Sequence, residues 1–287
     1  MKLVVALAIG FCLLGSTVSA NGGLEIVSFG DSVWRDNNLT SPPYYSPQGG
    51  WSETRLLFGN RSRPTIPRPY FKTNLALSSR DVPEENTVSY GFGIEVRPLA
   101  NNKSLAAQPW LEWLTRTRAY AEYLNQSFPQ SEKPDWNPRH NLIVGFDVWR
   151  EYGAADPNRY TERTAWWAEL YVGAAYHSTN FYLDDYDSIR CGLNAKTGIR
   201  YGKPAHPVMP YVVLDLNATS RHRFFWENRL ISGVGLRTEV KTGKSSKLKL
   251  YAERVWILSY LKDEPAASED VPSDDTRIGL SYQWNRY

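Results

Sequence analysis

Every second residue of TVSYGFGIEVR (87–97) is large and apolar. Val88, Tyr90, Phe92, Ile94 and Val96 share one face, against Ser89, Gly91, Gly93, Glu95 and Arg97 on the other. A period of two is the signature of a strand whose two faces meet different surroundings. The pattern returns along the chain. NLIVGFDVW sets Leu142, Val144, Phe146 and Val148 against Gly145 and Asp147. SIRCGLNAKTGIRY sets Ile189, Cys191, Leu193, Ala195 and Ile199 against Arg190, Asn194, Lys196 and Arg200. YVVLDLNA, ENRLISGVGLRTEV, KLKLYAERVW and RIGLSYQWNRY repeat it, with Arg254 alone breaking the apolar face of the third. A chain built this way must separate an apolar medium from an aqueous one.

Each segment runs to about ten residues, the length of a tilted strand that crosses a bilayer. LEIVSFGDSVW and WSETRLLF are less regular cases, and about twelve such strands are expected in all. The expected fold is therefore all-β, an antiparallel transmembrane β-barrel of about 12 strands in a bacterial outer membrane, in contact with outer-membrane lipid. An even count puts both ends on the periplasmic side. RIGLSYQWNRY reads as the closing strand, with Ile278, Leu280 and Tyr282 toward lipid, Trp284 at the inner interface and Arg277 in the lumen. Links 261–274 and 241–246 read as an outer loop and an inner turn. A mean hydropathy of −0.47 fits, since a polar lumen offsets a fatty exterior. Sandwiches also alternate faces, so a soluble carbohydrate-binding β-sandwich is the competing architecture.

The first residues, MKLVVALAIGFCLLGSTVSA, have a charged start, a short apolar run and small residues at 18 and 20. That pattern predicts a signal peptide over 1–20 and a barrel domain over 21–287. Its loss would remove Cys12 and leave Cys191 as the single cysteine, with no internal disulfide. No later apolar stretch reaches the ~18 residues of a spanning helix. Residues 105–124 are the best helical candidate, interrupted by Pro109. A net charge of +3 argues against a nucleic-acid partner.

The polar faces supply the candidate lumen lining: Glu95, Arg97, Glu112, Arg116, Asp147, Glu169, Arg190, Lys196, Arg200, Asp215, Arg229, Arg237, Glu239, Lys249, Glu253 and Arg277. An arginine facing lipid at mid-bilayer costs about 2–4 kcal/mol, so these side chains should point inward. The signs nearly balance. That suits either a stiffening ion-pair network or a path for a hydrophilic substrate such as a sugar polymer. The tryptophans, including Trp51, Trp110, Trp113, Trp136, Trp149, Trp166, Trp167, Trp226, Trp256 and Trp284, lie mostly near proposed strand ends, as interfacial girdles do.

Catalytic signatures are thin. His177 and Ser178 are adjacent, so on a strand they face opposite ways, while His177 and Thr179 share a face. His140, His206 and His222 lie in or beside links. Asp184, Asp185 and Asp187 could offer oxygen ligands to Ca²⁺ but lack an EF-hand spacing. The expectation is a non-enzymatic protein with no cofactor and no metal; a lipid-modifying barrel enzyme is the alternative.

At GFGIEVRPLANN, MPYVVLDLNA, GVGLRTEV and LKLYAERVW the chain resembles the C-terminal barrel domain of bacteriophage adsorption protein A. It is also similar to barrels that export exopolysaccharide. The resemblance spans about residues 50–287. It implies an outer-membrane barrel tied to surface polysaccharide export or phage attachment, with no catalytic residue carried over. Those larger proteins carry periplasmic helical repeats before the barrel, so the resemblance implies either a repeat-containing partner on another chain or a different role.

Overall fold

The computed structural model describes residues 23–37, 48–78, 86–108, 111–128, 135–154, 164–180, 186–202, 206–221, 228–243, 246–261 and 274–286. They form twelve strands: β1 (Leu24–Asn37), β2 (Gln48–Phe58), β3 (Arg68–Ser78), β4 (Thr87–Val96), β5 (Arg118–Phe128), β6 (Asp135–Gly153), β7 (Thr164–Thr179), β8 (Tyr186–Tyr201), β9 (Val208–Thr219), β10 (Arg229–Gly243), β11 (Ser246–Tyr260) and β12 (Asp274–Arg286). Each pairs antiparallel with its neighbours in sequence, and β12 pairs with β1 from Ile26↔Arg286 to Asn37↔Asp275. The sheet is one closed barrel, which leaves no open edge and excludes the two-sheet sandwich. The proposed signal peptide lies outside the described residues.

One phase of each strand faces in. On β7 it is Trp167, Glu169, Tyr171 and His177; on β8 it is Arg190, Asn194, Lys196 and Arg200. The other phase faces out and is apolar. Phe92, Ile94, Leu142, Val144, Phe146, Ile189, Val212, Leu214, Val234, Leu236, Leu250 and Ile278 are all exposed there. Large apolar side chains shown outward all round a closed sheet, over a charged interior, make a membrane-spanning barrel. Such barrels stand in the bacterial outer membrane, and this chain is one.

β7 sets the scale. Trp166 and Tyr176 face out ten positions apart (176 − 166), with Ala168, Leu170, Val172 and Ala174 between them. At ~3.3 Å per residue and ~40° of tilt, that is about 25 Å along the membrane normal, the height of an apolar band. Trp166 is fixed at its rim by its indole N–H, which donates to Thr197 Oγ1 at 2.9 Å. Phe58 and Tyr201 stand near the same rim; Trp34 and Trp256 stand near the other.

The start of β1 and the end of β12 share one rim, called here the terminal rim. Link lengths do not separate the two rims as expected. Only two positions separate β10 from β11 at the terminal rim, yet 97–117 joins β4 to β5 at that same rim. This long link replaces the expected helix over 105–124. It holds one helical turn, α1 (Lys103–Ala106), and a short 3-10 helix (Glu112–Arg116), after which the chain enters β5. Asn102 caps α1 by accepting from the Leu105 backbone N–H at 3.1 Å. No helix among the described residues is long and apolar enough to cross a membrane.

Candidate functional site: the barrel lumen

The strand phase collects the inward side chains into two ion-pair networks. On the β2–β6 side, Arg68 bridges Glu25 (2.6 Å) and Glu95 (2.7 Å), and Arg118 links Glu95 to Asp147. Lys72 joins Glu53 (3.0 Å) to Glu122 (2.8 Å). On the β7–β12 side, Arg237 donates to both oxygens of Glu169 at 2.9 Å and reaches Glu239 at 2.9 Å. Lys249 adds a second cation on Glu169 at 2.8 Å. Lys196 holds Glu253 at 2.6 Å, and Arg277 holds Asp275 at 2.7 Å. Removing one member of such a buried pair leaves an uncompensated charge, which costs about 3–5 kcal/mol.

Tyrosines tie these networks across the strands. Tyr70 on β3 lies over Gly93 on β4 and donates to Glu122 on β5 at 2.5 Å. Tyr211 on β9 lies over Gly235 on β10 and donates to Glu253 on β11 at 2.6 Å. Tyr251 on β11 lies over Gly279 on β12 and donates to Asp31 on β1 at 2.7 Å, across the closing seam. In each case a Cβ on the glycine would stand within 2.5 Å of the ring. The absent side chain is what lets the ring lie flat on the wall.

A cavity of about 630 Å³ lies against the β7–β12 network and is completed by residues of β1 and β2 and by Trp149 of β6. Trp51 and Trp149 both line it, 48% and 45% exposed. These two indoles therefore belong to the lumen and not to a lipid girdle. Trp167 also points inward; it is fully buried, with the Arg237 guanidinium 3.8 Å above its ring. Trp166, Trp256 and Trp284 do lie on the outer face, and Trp113 lies in the rim link. The side chains of Trp110, Trp136 and Trp226 fall outside the described residues.

Of the sixteen expected lining residues, thirteen lie on the inner face of a strand. Three do not. Arg97 follows the last residue of β4 and is exposed at the terminal rim. Glu112 and Arg116 belong to the 3-10 helix, which is outside the barrel. Glu112 pairs at 2.7 Å with Arg150, which shares the outer face of β6 with Val144 and Phe146. The segment that carries Glu112 packs there, and Val148 and Arg150 are buried beneath it. Alternation fails as a guide to these three because none sits in a strand. Arg254 does face out, but near the rim opposite the terminal one, called here the loop rim, where it pairs with Asp274 at 2.6 Å.

Several inward groups escaped the sequence reading: Asp31, Glu53, Arg55, Arg68, Lys72 and Glu122. The signal for Glu53 and Arg55 is present in WSETRLLF as two charges two residues apart. Glu122 was hidden by the helical reading of 105–124.

His177 faces the lumen and Ser178 the lipid, so the adjacent pair cannot act together. Thr179 shares the inner face with His177, but its hydroxyl donates to the His140 carbonyl at 3.0 Å. Asp187 is exposed at the start of β8, while Asp184 and Asp185 lie outside the described residues. Among the described residues, no cluster of three or more His, Cys, Asp and Glu side chains is placed to hold a metal.

No family model matches the chain, and no curated protein matches it. Among solved structures it is similar to the β domain of the Bordetella autotransporter Brka, at 10% identity and a TM-score of 0.42 over 93% of this chain and 100% of that one. It is similar to the NanC porin at 9% identity and a TM-score of 0.34, over 90% and 98%. A bacterial polysaccharide outer membrane secretin gives 8% identity and a TM-score of 0.38, over 94% and 100%. Likenesses this distant carry no argument, and the fold rests on the strand pairing itself.

Proposed function

We propose that this barrel is a non-enzymatic component of surface polysaccharide handling, acting in exopolysaccharide export or in cell-surface structure. The observation that carries the reading is the cavity. Two half-exposed indoles stand in a lumen whose charges are already matched to one another. Aromatic faces of that kind stack on the apolar faces of sugar rings, while amides and carboxylates meet hydroxyl groups. A strongly charged cargo would instead call for a lining of one sign. The motif resemblance to the adsorption protein A barrel points the same way and adds a periplasmic repeat-containing partner. Cross-linking in intact envelopes, followed by purification of the barrel, would recover that partner.

Deleting the gene in the source bacterium tests the role. Surface polysaccharide, measured by lectin or dye binding on intact cells, is expected to fall and to return on complementation. An unchanged amount and unchanged surface attachment would contradict it.

A further inference from the structure

We infer that the 630 Å³ cavity is a blind pocket for a short neutral oligosaccharide, held on Trp51 and Trp149, and is not a conducting pore. The sugar class rests on the function proposed above, in which this barrel then holds the polysaccharide and does not conduct it; the pocket's closure and its neutrality rest on geometry.

Closure comes first. The cavity reaches the loop rim through Arg35 near the end of β1, Trp51 near the start of β2 and Asn217 near the end of β9. Toward the terminal rim it meets a packed layer. Trp167, Met209 and Ala154 are fully buried there and form one apolar cluster with Tyr211. Arg237 lies on Trp167 and is clamped to Glu169, while Arg200 donates to the Ala154 carbonyl at 3.0 Å. With Arg68, Tyr70, Lys72, Glu95 and Glu122 buried on the opposite side, this layer makes a floor.

The wall is neutral in effect. Glu169 is held by Arg237 and Lys249, and Glu253 by Lys196. Asp31 accepts from Tyr251 and is opposed by Lys196 and Arg35; Asp215 accepts from Asn217 at 3.2 Å and is opposed by Arg229 and Arg277. A charged ligand would have to break bonds already made, whereas a neutral polyol need only add to them.

The aromatic faces single out two residues. Lys196 sits over the rings of both Tyr211 (5.3 Å) and Tyr251 (5.5 Å), and their hydroxyls are bound to carboxylates. Trp51 meets Phe29 in a T-shaped contact and Trp149 meets Tyr171 at a tilt, and both indoles stay nearly half exposed where they line the cavity. The volume falls in the ~300–1,000 Å³ range of small-ligand sites, which suits a few sugar rings rather than a running polymer.

The test uses the full chain refolded in detergent, with titration calorimetry. The neutral probes are maltohexaose, cellohexaose and an N-acetylglucosamine hexamer; the charged probe is a galacturonate hexamer. Saturable binding of a neutral probe is expected, little changed by salt. Trp51→Ala and Trp149→Ala should each weaken it tenfold or more, and Trp51→Phe should keep part of the affinity. Heat-modifiable gel mobility checks that each variant has folded. Planar bilayers should show no steady open-channel steps.

The inference falls if no neutral probe binds, if only the charged probe binds, if both alanine variants bind as the parent does, or if steady conductance appears. Polysaccharide loss in the deletion strain without binding by the purified barrel would leave the proposed role standing and remove the pocket. Binding with an unchanged cell surface would do the reverse.

Discussion

At the scale of single residues, glycine and tyrosine act as one unit in this wall. Tyr70, Tyr211 and Tyr251 each cover a glycine on the next strand and reach a carboxylate on the strand beyond. A side chain at Gly235 would stand 2.5 Å from the Tyr211 ring. Gly235→Val should therefore push Tyr211 off Glu253, at a cost of about 1–3 kcal/mol from overpacking. The midpoint of heat-modifiable mobility in detergent should fall; an unchanged midpoint would mean that the ring does not lie there. Arg237 is the second sensitive residue. It is 4% exposed, bonded to Glu169 and stacked on Trp167. Arg237→Ala leaves Glu239 without its cation and strips the cover from Trp167, so a loss of about 3–5 kcal/mol is expected in the same assay.

At the scale of elements, the outer face of a strand should be graded by depth. Val172 lies near the middle of the span between Trp166 and Tyr176 on the outer face of β7, and Thr164 lies beyond the aromatic rim. Val172→Arg should cost about 2–4 kcal/mol in lipid vesicles and Thr164→Arg about 0–1 kcal/mol. Equal costs would place β7 outside the bilayer. The 97–117 link makes its own prediction. Its contact with Arg150 through Glu112 is a charged hydrogen bond, and losing it costs about 1.5–3 kcal/mol. Glu112→Ala should release the segment, and trypsin should then cut at exposed Arg116 tenfold faster or more.

The strands most legible in the sequence are those whose two faces differ most. β4, β8, β9, β10, β11 and β12 show a fatty side and a polar side, and their inward residues follow from the alternation. β3, β5 and β7 are less legible, because their inner faces carry aromatic and apolar groups. Tyr70, Tyr120 and Leu124 point inward, as do Trp167 and Tyr171, so both faces of these strands read as apolar. Arg150 misleads in the opposite sense, as a charge on an outer face that only the neighbouring link makes tolerable.

At the scale of the whole molecule, closure explains why the chain can be polar on average and still span a membrane. Pairing β12 with β1 joins every strand into one wall and directs its charges into a shared interior, where they neutralise one another. A closed barrel of about twelve strands was legible from the alternation of nine segments, although β3, β5 and β7 were not placed individually. The lumen's contents were only half legible. Alternation tells which residues face in, but not that Trp51 and Trp149 join them, nor which charges meet across the barrel. Those contacts depend on register and on how side chains lean across strands, and neither is written locally.

The central claim is that alternate residues of one closed sheet face lipid and a polar lumen. Four single-tryptophan versions, retaining Trp166, Trp256, Trp51 or Trp149 with the other tryptophans replaced by phenylalanine, can be placed in vesicles of brominated lipid. Trp166 and Trp256 should be strongly quenched, while Trp51 and Trp149 should be quenched little and remain open to acrylamide. Equal quenching of all four by the brominated chains, or of none, would contradict the barrel's assignment of inside and outside.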